Sequence, residues 1–168
     1  MRILSALPEE CVDAVITDPP YGVTKNKWDT PIDFQVLWSL LRHFTKQNSA
    51  VCVFSQQPFT SDLISSNKKG FRYDLIWTKR KSTGFLNANK MPLRAHETIC
   101  IFYDKLPTYN PQKFYRGTPS WRGPGIRSSS NYGKYAHCVP TGTKDGLRYP
   151  LSFIDIDYED IFLKKSTL

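Results

Sequence analysis

An apolar, β-branched run, Val12-Asp13-Ala14-Val15-Ile16-Thr17, ends abruptly at Asp18-Pro19-Pro20-Tyr21-Gly22. No other junction in the chain limits its fold as tightly. A short run of this kind, halted by two prolines and a glycine, reads as a buried strand ending in a rigid turn. Adjacent prolines remove two backbone N–H donors and fix two φ angles. The local carbonyls are left facing outward as acceptors, beside one carboxylate and one aromatic face. In open α/β sheets, ligands bind at the carboxyl ends of strands. A notch so composed suits a flat group bearing an amino donor, such as the exocyclic amine of a nucleobase. Asp-Pro also marks ordinary turns, and Pro-Pro-Tyr also serves as a polyproline-like ligand. On the tetrapeptide alone these readings stand level; the preceding strand and Gly22 favour a site.

At 168 residues the chain is one domain by the usual size rule, long enough for a real core. A hydrophobic fraction of 40% with 14% aromatic residues argues against disorder. No stretch has the length of a membrane-spanning helix, and no charged-then-apolar leader opens the chain. Cys11, Cys52, Cys100 and Cys138 are far apart, and His43, His96 and His137 show no ligand spacing. Reduced structural thiols and no metal site are expected. The net charge of +8 is unevenly placed: residues 79–148 hold 13 Lys/Arg against 3 Asp/Glu, and the rest hold 10 against 12. A basic face can be plain solvated surface, but excess confined to one block is the footprint of phosphate contacts.

Asp33 is placed to cap a helix from about Phe34 to Lys46, with Phe34, Leu37, Trp38, Leu41 and Phe44 as its buried stripe. Ala50 to Phe54 reads as a second buried strand, and Pro58 suits the opening of a helix from about Phe59 to Lys68, closed by Gly70. Phe71 to Trp77 and His96 to Tyr103 read as further strands. This rhythm predicts an α/β fold with a parallel-rich sheet covered by helices on both faces. From Asp104 to Pro150 the chain turns loop-rich and basic. Tyr109, Phe114, Tyr115, Trp121, Tyr132 and Tyr135 alternate there with Lys113, Arg116, Arg122, Arg127 and Lys134. Aromatic faces stack on bases while cations meet phosphates, so the mixture suits a nucleic-acid surface; a loose insertion on an ordinary enzyme is the plainer reading. Three parts are expected: a catalytic α/β portion over 1–103, a basic recognition segment over 104–150, and a C-terminal stub over 151–168.

Asp13 to Gly22 resembles the catalytic motif of the N6-adenine and N4-cytosine DNA methyltransferases. Ser55-Gln56-Gln57-Pro58-Phe59-Thr60, Trp77-Thr78-Lys79, Asn87-Ala88 and Leu93-Arg94-Ala95-His96-Glu97 are similar to segments of phage and restriction-modification members, and Arg148-Tyr149-Pro150 to the motif closing their recognition region. The order is that of the β-type arrangement. The resemblance implies a partial Rossmann-like methyltransferase sheet and methyl transfer from S-adenosylmethionine to a base flipped out of double-stranded DNA. It makes Asp18, Pro19, Pro20 and Tyr21 the catalytic residues. Asp18 and the Pro19 carbonyl would accept from the amine, and Tyr21 would stack on the base. Trp28 and Phe59 are candidates to flank the pocket. Adenine is favoured over cytosine, because the Asp form of the motif is commoner among adenine enzymes. Lys79, Lys113, Arg116, Arg122, Arg127 and Lys134 are the candidate DNA contacts, and a DNA-associated cytoplasmic protein of a bacterium or phage-infected cell is implied.

The resemblance stops short of the cofactor loop. Its form, Asp-Pro-Phe-x-Gly-Ser-Gly, is absent, and none of Gly84, Gly117, Gly123, Gly125, Gly133, Gly142 or Gly146 follows a strand and opens a helix as such a loop must. The expectation is therefore a truncated form, inactive alone. The alternatives are a second polypeptide or second copy completing the sheet, a non-catalytic DNA-binding remnant, or an RNA or protein amine methyltransferase.

Overall fold

A computed structural model describes residues 6–115 and 145–155. The chain divides into two units, Met1–Thr108 with Ser152–Leu168, and Tyr109–Leu151.

In the first unit the strand β1 spans Val12–Thr17, and the helix α1 spans Phe34–Phe44. The carboxylate of Asp33 accepts from the backbone N–H of Gln35 at 2.8 Å and of Val36 at 3.3 Å, which satisfies two donors that the first helical turn leaves unpaired. Replacing such a cap by alanine typically costs about 1 kcal/mol. Leu37, Trp38, Leu41 and Phe44 form the buried stripe. The helix stops before the expected Lys46. Thr45, β-branched, turns extended, its hydroxyl donating back to the Leu41 carbonyl at 2.6 Å.

Thr45 opens β2, Thr45–Ser55, longer than its apolar stretch because its first half is exposed and polar. The helix α2 covers Phe59–Ser66, β3 covers Phe71–Thr83 and β4 covers Arg94–Phe102; β7, Phe153–Ile154, adds a short edge. The sheet order is β1-β2-β4-β3-β7. β1 pairs parallel with β2 and β3 with β7, while β4 runs antiparallel to both β2 and β3. The sheet is thus mixed and not parallel-rich. The alternation of apolar runs with helical stripes could not reveal that β3 and β4 form a hairpin slotted in beside β2.

Register sorts the faces. Val51 lies opposite Phe102, Val53 opposite Cys100, and Val15 beside Val51. These residues face the same side, and there Leu37, Trp38, Leu41, Phe44, Phe59 and Leu63 close one core around them. Completely buried Leu63 alone contributes roughly 1.5–3 kcal/mol. Both described helices therefore share one face, which corrects the expectation of helices on both. The crossovers β1-α1-β2 and β2-α2-β3 move the same way across the sheet, and crossovers of one hand taken in one direction stack on one side.

The strand β1 is also not buried, as its apolar run suggested. Among the described residues it pairs on one side only, and Ile16 is 74% exposed. An apolar run reports that a strand wants cover, not that cover is present.

The second unit carries a two-stranded antiparallel ladder, β5 over Phe114–Tyr115 and β6 over Leu147–Arg148. Lys113 sits over the Tyr149 ring at 4.6 Å.

Candidate active site

The parallel direction of β1, β2 and β3 brings the ends Thr17 and Ser55 to one edge of the sheet, level with Ile76, beyond which β3 runs on to Thr83. Asp18 emerges there, exposed, with Pro19 buried behind it and Pro20 and Tyr21 half-buried. The notch is therefore open to solvent at its carboxylate and packed at its back.

Tyr21 is held from two sides. Its hydroxyl donates to Oδ1 of Asp18, and its ring lies 5.2 Å from that of Phe59, tilted by 35°. Phe59 is itself buried and packs on Phe34 at 5.4 Å. Burial, and then the hydrogen bond and negative charge of Asp18, push the Tyr21 phenol well above its usual range; Glu97 adds to the rise. The phenol therefore stays protonated and remains a donor. One Asp18 oxygen is turned by this contact, and the carboxylate keeps acceptor capacity for a second donor. Phe59 braces Tyr21 from the core rather than flanking an open pocket, whereas Trp28 is 70% exposed.

Asp29, which sequence reasoning passed over, fixes the loop after the notch. It is buried and accepts from Gly22 N–H at 2.7 Å and from Thr24 N–H at 2.6 Å. The Thr24 hydroxyl first, with those backbone donors, holds its carboxyl below the ordinary range against the opposing effect of burial. Gly22 itself has φ +69°, and a Cβ there would stand 2.3 Å from Cγ of Pro31. Only glycine fits this approach without strain. The signal available in sequence was weak: an Asp seven residues beyond a glycine has no periodic signature.

Behind the notch, Ser55 is fully buried and accepts from the Thr60 hydroxyl at 3.0 Å while donating to the Thr98 carbonyl at 3.3 Å. This pins the turn between β2 and α2 to β4. Lys79 and Glu97 form a largely buried ion pair, with the ammonium 5.6 Å from the Trp77 ring. The Lys79 charge is thus engaged inside the protein. Of the other candidate contacts, Lys113 belongs to the second unit, and Arg116, Arg122, Arg127 and Lys134 lie outside the described residues.

Among the described residues no group of three or more His, Cys, Asp or Glu is placed to hold a metal, and no helix is long and apolar enough to cross a membrane. A cavity of about 260 Å³ lined by Trp38, Arg42, Gly70 and Tyr103 opens at the opposite edge of the sheet, where β3 begins and β4 ends, and has no part in the notch. The described residues also make no cradle for a nucleoside cofactor. The β1–α1 connection contributes Gly22 alone, already in contact with Pro31, and α1 begins with a carboxylate cap. Their chemistry is that of an acceptor end: a positioned carboxylate beside a braced aromatic ring.

A profile of the DNA methylase family, N6 and N4 type, matches residues 12–140. The PvuII cytosine-N4-specific DNA methyltransferase superposes with 17% identity and a TM-score of 0.48, over 62% of this chain and 46% of that one. The complex of M1.HpyAVI with SAM gives 16% identity and a TM-score of 0.43, over 68% of this chain and 53% of that one. The chain spans about half the length of these solved proteins. No curated protein matches the sequence.

Proposed function

This chain belongs to the N6/N4 DNA methylase family, and from that membership we propose that it presents the base-amine end of a methyl transfer from S-adenosylmethionine to DNA. Adenine N6 is the favoured acceptor over cytosine N4, since the resemblance of the Asp-Pro-Pro-Tyr form leans that way. The observation that carries the reading is the Asp18–Tyr21 contact at the solvent-open carboxyl end of β1. Asp18 accepts an N–H of the amine, which turns the nitrogen lone pair out of full conjugation with the ring. Tyr21, braced by Phe59, offers an aromatic surface to the base. The rate advantage lies in positioning an amine for in-line displacement, and no metal is required.

S-adenosylmethionine supplies the electrophilic methyl group when bound, and the described residues form no cradle for it. The pairing of β1 on one side only among the described residues supports a second polypeptide, or a second copy, that pairs with this edge and carries the cofactor site. In an open α/β sheet the binding crevice forms where strand order reverses, and β1 is the strand from which the order would have to reverse.

The test is incubation of the chain with methyl-labelled S-adenosylmethionine and duplex DNA, RNA or protein, alone and with cell extract from which a partner is then purified. Label entering DNA only, on adenine N6, supports the reading. Label in RNA or protein, or none under any condition with duplex binding retained, replaces it with the corresponding alternative.

A further inference from the structure

We propose that the β3–β4 hairpin is a wedge that enters duplex DNA, its tip residues Phe85 and Leu86 unstacking a base step while the flanking cations hold the phosphates. The inference deepens the methyl-transfer reading in naming how the duplex is opened, and rests on that reading only for its choice of DNA.

Every residue from 80 to 96 is exposed, and none of them belongs to the hydrophobic core of the described residues. Its tip nevertheless carries large apolar side chains, Phe85 at 75%, Leu86 at 84% and Met91 at 58% exposure. Clustered exposed apolar groups on a soluble surface mark a contact site.

The tip is also preorganised. Gly84 turns it with φ +87° into the 3₁₀ turn Phe85–Asn87. The backbone then closes through Asn87 N–H to Gly84 carbonyl at 2.9 Å, Lys90 to Asn87 at 2.8 Å and Met91 to Asn87 at 3.0 Å. A preset tip loses little conformational freedom on binding.

Charge selects the partner. From Leu75 to His96 the chain contains Lys79, Arg80, Lys81, Lys90 and Arg94 and not one Asp or Glu. With Lys79 engaged by Glu97, exposed Lys81, Lys90 and Arg94 still frame the apolar tip. Apolar side chains inserted between base steps, with cations on the backbone, are how wedge proteins open a duplex.

Position completes the case. Ile76 of β3 lies level with Ser55 through Thr98, at the edge where Asp18 emerges. The seven residues from there to Thr83 carry the arm roughly 20 Å past that edge. An arm rising beside the notch by about the width of a duplex reaches the same DNA that offers the amine.

The experiment measures binding of the whole chain to a fluorescent duplex across a salt series, without methyl donor, with 2-aminopurine placed in the duplex. Phe85→Ser with Leu86→Ser is expected to lose roughly tenfold or more in affinity with an unchanged salt slope, and to lose the 2-aminopurine brightening. Lys81→Ala and Lys90→Ala are each expected to reduce the slope by about 1. Because the arm contacts no core, circular dichroism should be unchanged in all variants. Equal affinity and brightening in the double variant overturns the wedge, as does binding of the chain to phosphatidylserine–phosphatidylcholine vesicles without duplex binding. The measurement omits methyl donor, so absent transfer activity refutes the functional reading and leaves the wedge to its own test.

Discussion

The Asp29 carboxylate accepts the backbone N–H of Gly22 at 2.7 Å, so the residue following Tyr21 is tied down by a side chain seven positions later. The second oxygen takes Thr24 N–H at 2.6 Å, and the loop is drawn back beneath the notch. Asp29→Ala should release both amides, with roughly tenfold faster hydrogen exchange at Gly22 and Thr24. Asp29→Asn, which keeps one acceptor oxygen, should fall between. The pH dependence follows from a carboxyl held below 3.8. Its stabilising effect is fully present above that unfolded value and disappears as pH falls through the lower folded value. Protection of these amides should therefore be flat from neutral pH down to about 4 and lost in stronger acid. Unchanged exchange in Asp29→Ala would remove Asp29 from the site.

Gly22→Ala meets two obstacles at once. The backbone is left-handed at φ +69°, and the added Cβ would stand 2.3 Å from Pro31 Cγ. Left-handed strain costs about 1–2 kcal/mol, and displacing a proline ring adds to it. Urea unfolding should show a larger loss for Gly22→Ala than for Gly84→Ala, where nothing lies within 4 Å of the added Cβ. Gly84 still carries its own positive φ, so its cost should be the backbone strain alone.

How much of this was legible depends on the range over which each signal acts. The helix α1 was readable because Asp33 and the stripe from Phe34 to Phe44 are local, and β1 kept the bounds Val12 and Thr17. The notch at Asp18 was readable because prolines act on their own residues. Exposure of Ile16 was not, since it depends on what pairs with the far side of β1. The extension of β3 from Trp77 to Thr83 was hidden in the polar run Thr78 to Ser82, whose pairing comes from Arg94 to His96 and not from its own periodicity. The Glu97 partner of Lys79 left no mark in the sequence because it lies 18 residues away. The Asp29 clamp left no periodic mark at all.

The Tyr21 hydroxyl can be removed without removing its ring. Tyr21→Phe keeps the packing on Phe59 and loses the donor to Asp18. If the contact orients the carboxylate, transfer in the complete enzyme should fall roughly tenfold to a hundredfold, while duplex affinity holds. Asp18→Ala should abolish transfer with the same retention of binding. A phenol held far above 10 contributes stability that is present below pH 10 and lost only as pH rises through its folded value. Tyrosinate absorbance should therefore titrate identically in wild type and Tyr21→Phe until the protein unfolds. A missing titrating phenol near pH 10 in the variant would show that Tyr21 is free of Asp18.

The Lys79–Glu97 pair decides between a structural and a DNA-contacting lysine. Glu97 is 13% exposed and Lys79 27%, so deleting the cation leaves a largely buried carboxylate without its charge partner. Lys79→Ala should destabilise the fold by about 1–3 kcal/mol. Lys79→Met with Glu97→Leu should recover much of that loss, because paired removal eliminates the uncompensated charge. For DNA, the engaged Lys79 should matter less than exposed Lys81, with the salt slope of duplex binding moving for Lys81→Ala and hardly for Lys79→Ala. The reverse order, measured by anisotropy, would mean that Lys79 leaves Glu97 for phosphate when the duplex arrives.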